Sequence, residues 1–258
     1  MHNFKPKKSL GQNFLINRGI VEKIIDAAEM RGTETVVEIG PGFGTLTEAL
    51  LTHAKRVIAI EKDARLIPAL QKKFAGEKKL ELVRADALQF PPPKKPYMLI
   101  ANIPYYIASP LLDHFIRDNP KNIPSRAVLM LQKEVAQKLC AQPPQMNVLA
   151  LHVQTFGTPK IIATVSKGSF RPVPKVDSAI VRIDFFKEPP MIDYEKYFSL
   201  IHRGFSQKRK MLGSLIDRTL LEKVGIDPAR RAQTLSVGEW EKLLKEYIHS
   251  KNFVLQTL

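Results

Sequence analysis

The chain alternates short apolar runs with amphipathic stretches. TVVEI (35–39), RVIAI (56–60), LELVRA (80–85), YMLIA (97–101) and RAVLML (126–131) have strand length and strongly apolar content, the pattern of strands buried on both faces. Between them Leu66, Ile67, Leu70 and Phe74 recur at helical spacing. Ahead of them Val21, Ile24, Ile25 and Ala28 share one helical face, with Asn17 placed to cap it. Such alternation predicts an α/β fold, an open Rossmann-like parallel sheet with helices on both faces. Two later runs, KIIATV (160–165) and SAIVRIDFF (178–186), are joined by a proline-containing loop. They predict an antiparallel hairpin at the sheet edge, beside the end of the fourth run. After KEPP (187–190) the strand signal stops, and Trp240, Leu243, Leu244, Tyr247 and Ile248 mark a helical stripe. The expected organisation is a domain over 1–187 and a small helical domain over 188–258.

Composition narrows the function classes. Forty Lys and Arg against 25 Asp and Glu leave a net charge of +15 on 258 residues. That balance points to a polyanionic partner, nucleic acid or an acidic membrane surface, rather than only to a solvated exterior. Lys208, Arg209 and Lys210 form one of several short basic clusters, with Lys5, Lys7 and Lys8 and with Lys94 and Lys95. Cys140 is the single cysteine, which excludes an internal disulfide and a cysteine-rich metal site. The six histidines show no metal-ligand spacing, so no metal is expected. No run approaches the roughly 20 apolar residues of a membrane span, and the basic start lacks the apolar core of a signal peptide. The expectation is a soluble cytoplasmic monomer without a membrane partner.

In open α/β sheets ligands bind beyond the carboxyl ends of the strands. Polar residues stand at those ends here. The first run leads into EIGPGFGTLT, whose Gly40, Gly42 and Gly44 suit a tight turn and close approach of a ligand to the backbone. Glu61 ends the second run, placed for the two hydroxyls of a ribose, Asp86 follows the third and Asn102 the fourth. The spacing GPGFG departs from the dinucleotide fingerprint, and the preceding Glu38 would repel phosphates. A carboxylate there suits the cationic end of S-adenosylmethionine. Glu61 would then hold the ribose, and Asp86 would accept from the adenine amine. A methyltransferase is favoured over a dehydrogenase.

ANIPYYIASP (101–110) fits the same chemistry. An exocyclic adenine amine is a poor nucleophile because its lone pair is delocalised into the ring. Acceptors on its two N–H groups favour the pyramidal form that attacks a methyl group. The Asn102 side-chain oxygen and the Ile103 carbonyl are candidate acceptors, Pro104 stiffens the turn, and Tyr105 offers a face to an extruded base.

Taken together, KKSLGQNFL (7–15), EIGPGFGTLT, ANIPYYIASPLL, FRPVPKVDSAIVR (170–182) and GFSQKRKML (204–212) resemble the rRNA adenine N6,N6-dimethyltransferases of the KsgA type over nearly the whole chain. The resemblance implies dimethylation of adenines in small-subunit rRNA, with a further role in small-subunit assembly. The small-subunit rRNA or a pre-ribosomal particle would be the partner. A large-subunit activity conferring macrolide resistance and an RNA-binding assembly factor without methyl transfer are the alternatives. The resemblance assigns Asn13, Leu15, Gly40, Glu61, Asp86 and Asn102 to the cofactor, makes KKSLGQNFL a cofactor lid, and pairs Tyr105 with Phe170 around the flipped adenine. The competing reading of Phe170 is a buried anchor for its loop. Lys208, Arg209 and Lys210 would contact RNA. One departure, AQPPQMNVLALHVQ (141–154), replaces the family's proline-glycine turn and bears on an RNA-facing surface rather than on the chemistry.

Overall fold

The computed structural model describes residues 4–7, 11–104 and 107–256. In chain order the elements are β1 (Phe14–Leu15), α1 (Arg18–Ala28), β2 (Thr35–Ile39), α2 (Thr45–His53), β3 (Arg56–Glu61), α3 (Ile67–Lys73), β4 (Leu80–Arg84), β5 (Met98–Asn102), α4 (Ala108–Leu112), β6 (Arg126–Gln132), α5 (Lys133–Leu139), α6 (Val148–Gln154), β7 (Gly157–Val165), β8 (Phe170–Arg171), β9 (Ser178–Phe185), α7 (Tyr194–Phe205), α8 (Arg218–Lys223) and α9 (Val237–Gln256). Among the described residues no helix is long and apolar enough to cross a membrane. They fall into two compact units, Met1–Gln137 with Gly157–Lys187, and Lys138–Phe156 with Glu188–Leu258.

The first unit is built on a seven-stranded sheet in the order β4-β3-β2-β5-β6-β9-β7. Its first five strands are parallel. Val36, Val37, Val57, Ala59, Leu99, Ile100, Val128 and Leu129 are fully buried, because helices cover both faces and leave these strands no solvent side. Asn17 caps α1 as expected, its side-chain oxygen accepting from the Ile20 amide at 3.4 Å. From β2 the chain winds outward to β3 and β4, then returns to the other side of β2 to form β5. The order therefore reverses between β2 and β5, which opens a crevice at their carboxyl ends.

The expected edge hairpin is present as the antiparallel pair β7 and β9. Its position differs from expectation in one respect: β6 lies between β5 and β9, so the hairpin flanks the fifth parallel strand instead of the fourth. β7 ends the sheet, alternates exposed and more buried positions, and carries a register shift between Ile161 and Ala163. A two-stranded ribbon, β1 with β8, pairs Leu15 with Phe170 and Phe14 with Arg171.

The second unit is helical. Trp240, Leu243 and Leu244 on α9 are buried, as the apolar stripe predicts. It also takes in Lys138–Phe156, a segment expected in the first domain. The reason lies in its aromatic partners: the ring centroids of His152 and Phe156 stand 4.6 and 6.3 Å from that of Phe198 on α7. An apolar helix face does not announce in sequence which partner completes it. Within this segment Asn147 caps α6 through the Ala150 amide and donates to the Lys138 carbonyl at 2.9 Å.

Candidate active site

The crevice at the carboxyl ends of β2 and β5 is lined by the segment Gly11–Leu15, the turn after β2, Glu61, Asp86 and Asn102–Pro104. All six residues expected to contact a cofactor, Asn13, Leu15, Gly40, Glu61, Asp86 and Asn102, border this one cleft together with Ile103 and Pro104. They come from four strand ends and from the segment of β1, so that Asn13 and Asn102, 89 positions apart, meet there.

The turn after β2 requires its glycines for two reasons. Gly40 and Gly42 both have left-handed backbones, with φ of 67° and 59°, a region that side-chain-bearing residues rarely occupy. A Cβ on Gly42 would also lie 2.9 Å from the Phe14 ring, whereas the space beside Gly40 is open for at least 4 Å. The first glycine leaves room for a ligand, and the second leaves room for the aromatic roof.

Three carboxylates give the cleft its electrostatic character. Glu38 is buried, and its Oε2 has no hydrogen-bond partner among the described residues. Burial pushes its carboxyl up to about 8, with Glu61 adding to the shift while Thr47 and Lys73 oppose it. Glu61 is also raised by burial, but its oxygens are oriented by backbone donors: the Gly42 amide gives to Oε2 at 3.2 Å and the Asp63 amide to Oε1 at 2.8 Å. Asp86 is held below the usual carboxylate range, chiefly by Lys62, whose ammonium lies 2.7 Å away. Lys62 is the only lysine or arginine among the described lining residues. A ligand bearing a pyrophosphate would press Glu38 and Glu61 further toward their neutral forms, whereas a cationic nucleoside without phosphate would draw the buried Glu38 toward its ionised form. The donor set therefore fits S-adenosylmethionine.

The orientation of Asn102 follows from its neighbour. Its Nδ2 donates to the Asn13 carbonyl at 3.0 Å, and a carbonyl can only accept, so the opposite atom, Oδ1, is the one left to take hydrogen bonds from a substrate. The next residue is pinned too: the Ile103 amide donates to the Met130 carbonyl on β6 at 3.2 Å.

A model of the family described as ribosomal RNA adenine dimethylase matches residues 3–249. The chain belongs to the ribosomal RNA adenine dimethylase family. As such it is an rRNA adenine dimethyltransferase. The chain is 42% identical to a protein of Dehalococcoides mccartyi (strain CBDB1) named ribosomal RNA small subunit methyltransferase A, over 95% of this chain and 90% of that one. Among solved structures, a dimethyladenosine transferase from Plasmodium falciparum superposes with a TM-score of 0.83 at 31% identity, covering 92% of this chain and 98% of that one. The 23S rRNA methyltransferase ErmE superposes at 0.75 with 29% identity, covering 91% and 99%.

Within this dimethyltransferase, the remaining expected residues divide. Phe170 does not border the cleft. It is fully buried in a cluster with Leu15, Met130, Val165 and Ile180, because pairing of β8 with β1 turns its ring into the core, and no face of that ring is open to a base. Tyr105 lies outside the described residues, as does Lys8. Lys208, Arg209 and Lys210 sit exposed in the turn that follows α7 in the second unit.

Sequence reasoning missed the aromatic roof of the cleft and its fastening. The rings of Phe14 and Phe43 lie 4.5 Å apart, with Phe4 at 5.8 and 5.3 Å from them, and Gln12 donates to Asp63 at 2.8 Å. The available signal was that Phe4, Phe14 and Phe43 belong to no apolar period, so no core face accounts for them.

Proposed function

We propose that the protein transfers methyl groups from S-adenosylmethionine to the N6 amines of adenines in small-subunit rRNA, giving N6,N6-dimethyladenosine. The observation that carries this reading is Asn102 at the end of β5, its Nδ2 engaged by Asn13 and its Oδ1 left as acceptor beside the Ile103 backbone. The cofactor supplies an electrophilic methyl group on a sulfonium. Glu61, preset by two backbone amides, would hold the ribose hydroxyls, and Asp86 the adenine amine. Glu38 would face the cationic end of the ligand. Asn102 Oδ1 and the Ile103 carbonyl would accept from the target N6 amine and favour its pyramidal, nucleophilic form. Pro104 limits the backbone freedom of that acceptor pair. No strong base is required, and none of the cleft carboxylates is assigned that task.

The choice of ribosomal subunit rests on the name carried by the sequence relative, since ErmE shares the architecture. The test is incubation of the protein and labelled S-adenosylmethionine with small or large subunits lacking the modification, followed by nucleoside analysis. Labelled N6,N6-dimethyladenosine is expected from the small subunit. Label confined to the large subunit would overturn the substrate assignment. Asn102→Ala should lower methyl transfer by roughly 10²–10³-fold, the usual loss for a preorganised hydrogen-bonding group, with RNA affinity close to wild type.

A further inference from the structure

Asp63 is a carboxylate with only 4% of its surface exposed, two residues beyond the end of β3. Its own amide donates to Glu61 Oε1 at 2.8 Å. Its side chain accepts from Gln12 Nε2 at 2.8 Å and is clasped by Arg65, with Nη2 at 2.6 Å from Oδ2 and Nε at 2.9 Å from Oδ1. Arg65 in turn donates to the Lys5 carbonyl at 3.1 Å and lies 4.5 Å over the Phe4 ring. The residue after Gln12 is Asn13, whose carbonyl holds the amide of Asn102. Three positions further on, the Ile16 amide donates to the Ser169 carbonyl at 3.0 Å, continuing the pairing of β1 with β8.

A continuous path therefore runs from the Glu61 carboxylate through Asp63, Gln12 and Asn13 to the Asn102 amide. We propose that Asp63 is a positioning residue that fastens the segment Gln12–Ile16 over the cleft and thereby sets the orientation of the Asn102 side chain. Its place explains its chemistry. A carboxylate serving only to cap a local turn would satisfy Arg65 and remain exposed; this one is buried and reaches a residue 51 positions away. A buried charge is held firmly where its partners are in place and is costly where one is removed, which suits a fastening that is either made or broken. When it is broken, the Asn13 carbonyl is no longer fixed, and Asn102 is without the partner that tells its oxygen from its nitrogen. The inference rests on the cofactor reading for its catalytic consequence but not for the fastening itself.

Two measurements test it in the full-length chain, on Gln12→Ala, Asp63→Ala, Asp63→Asn and the double variant. Without ligand, hydrogen exchange at the Ile16 amide should quicken by roughly tenfold in both alanine variants, as expected when a hydrogen bond to a charged group is removed. With ligand, release of S-adenosylhomocysteine should quicken by about the same factor, and the double variant should be no worse than Asp63→Ala alone, because that variant has already lost the bond to Gln12. Asp63→Asn, which keeps an acceptor for Gln12, should recover part of the loss. Turnover per folded molecule should fall in step, with the KM for RNA unchanged. Effects that multiply in the double variant, or Ile16 protection unaltered by Gln12→Ala, would overturn the proposal. Gln12→Ala leaves the Asp63–Arg65 pair intact, so the test stands even where Asp63→Ala fails to fold. Wild-type protein that binds no S-adenosylhomocysteine would instead overturn the cofactor reading, and the exchange measurement would still decide the fastening.

Discussion

Glu38 shows how far a single buried group sets the chemistry of the cleft. Folded, it keeps its proton until about pH 8; in the unfolded chain it ionises near its ordinary value of 4.5. Between those values the folded state binds more protons than the unfolded one, so the stability associated with this site is complete below about pH 4.5 and is lost as pH rises toward 8. Glu38→Gln keeps the shape and removes the titration. Its unfolding free energy should match wild type at pH 4.5 and exceed it at pH 8 by on the order of 2–4 kcal/mol. Chemical denaturation across that range checks this, and a difference that stays constant with pH would show that Glu38 does not titrate on folding. The residue was legible in sequence as a carboxylate before a glycine turn. Its lone unpaired oxygen was not, since solitude is a property of the surrounding shell. Asn102 divides in the same way. Its position at a strand end follows from the apolar run before it, whereas the identity of its free atom depends on a carbonyl 89 residues earlier in the chain.

At the scale of elements, the parallel strands were readable because each is apolar almost throughout, a pattern that few alternatives share. The ribbon β1–β8 was not. Two residues per strand are too short to carry a period, and their pairing spans more than 150 residues. That ribbon decides the fate of Phe170, whose motif reads equally well as a loop aromatic or as a core anchor. Since its ring is fully buried, Phe170→Ala should cost roughly 3–5 kcal/mol of stability, as for other buried phenylalanines. Thermal and denaturant unfolding of the variant measure it. Unchanged stability with abolished turnover would return Phe170 to the base-stacking role. The assignment of Lys138–Phe156 to the second unit was hidden for a related reason: an amphipathic helix shows that one side is buried and is silent about what buries it.

For the molecule as a whole, the excess of 15 positive charges is a statement about partners that no single element makes. Lys208, Arg209 and Lys210 are exposed, and among the described residues none is paired with an acid. Replacing all three with glutamate should weaken RNA binding and flatten its dependence on salt, by about 0.7–0.9 in the log–log slope for each phosphate no longer neutralised. Methyl transfer at saturating RNA should be preserved. Affinity measured across a salt series gives both quantities; a weaker affinity with an unchanged slope would place the effect in the folding of the second unit instead. The charge also bears on how the protein tolerates its own company, and there β7 matters. An outermost strand offers a template onto which another chain can add. Here that template is spoiled three times over: Pro159 lacks a backbone donor, Lys160 places a charge on the exposed side, and the shift between Ile161 and Ala163 breaks the regular spacing of the ladder. An enzyme that works on rRNA thus carries, along one margin of its sheet, a backbone on which a further strand finds no regular ladder to join.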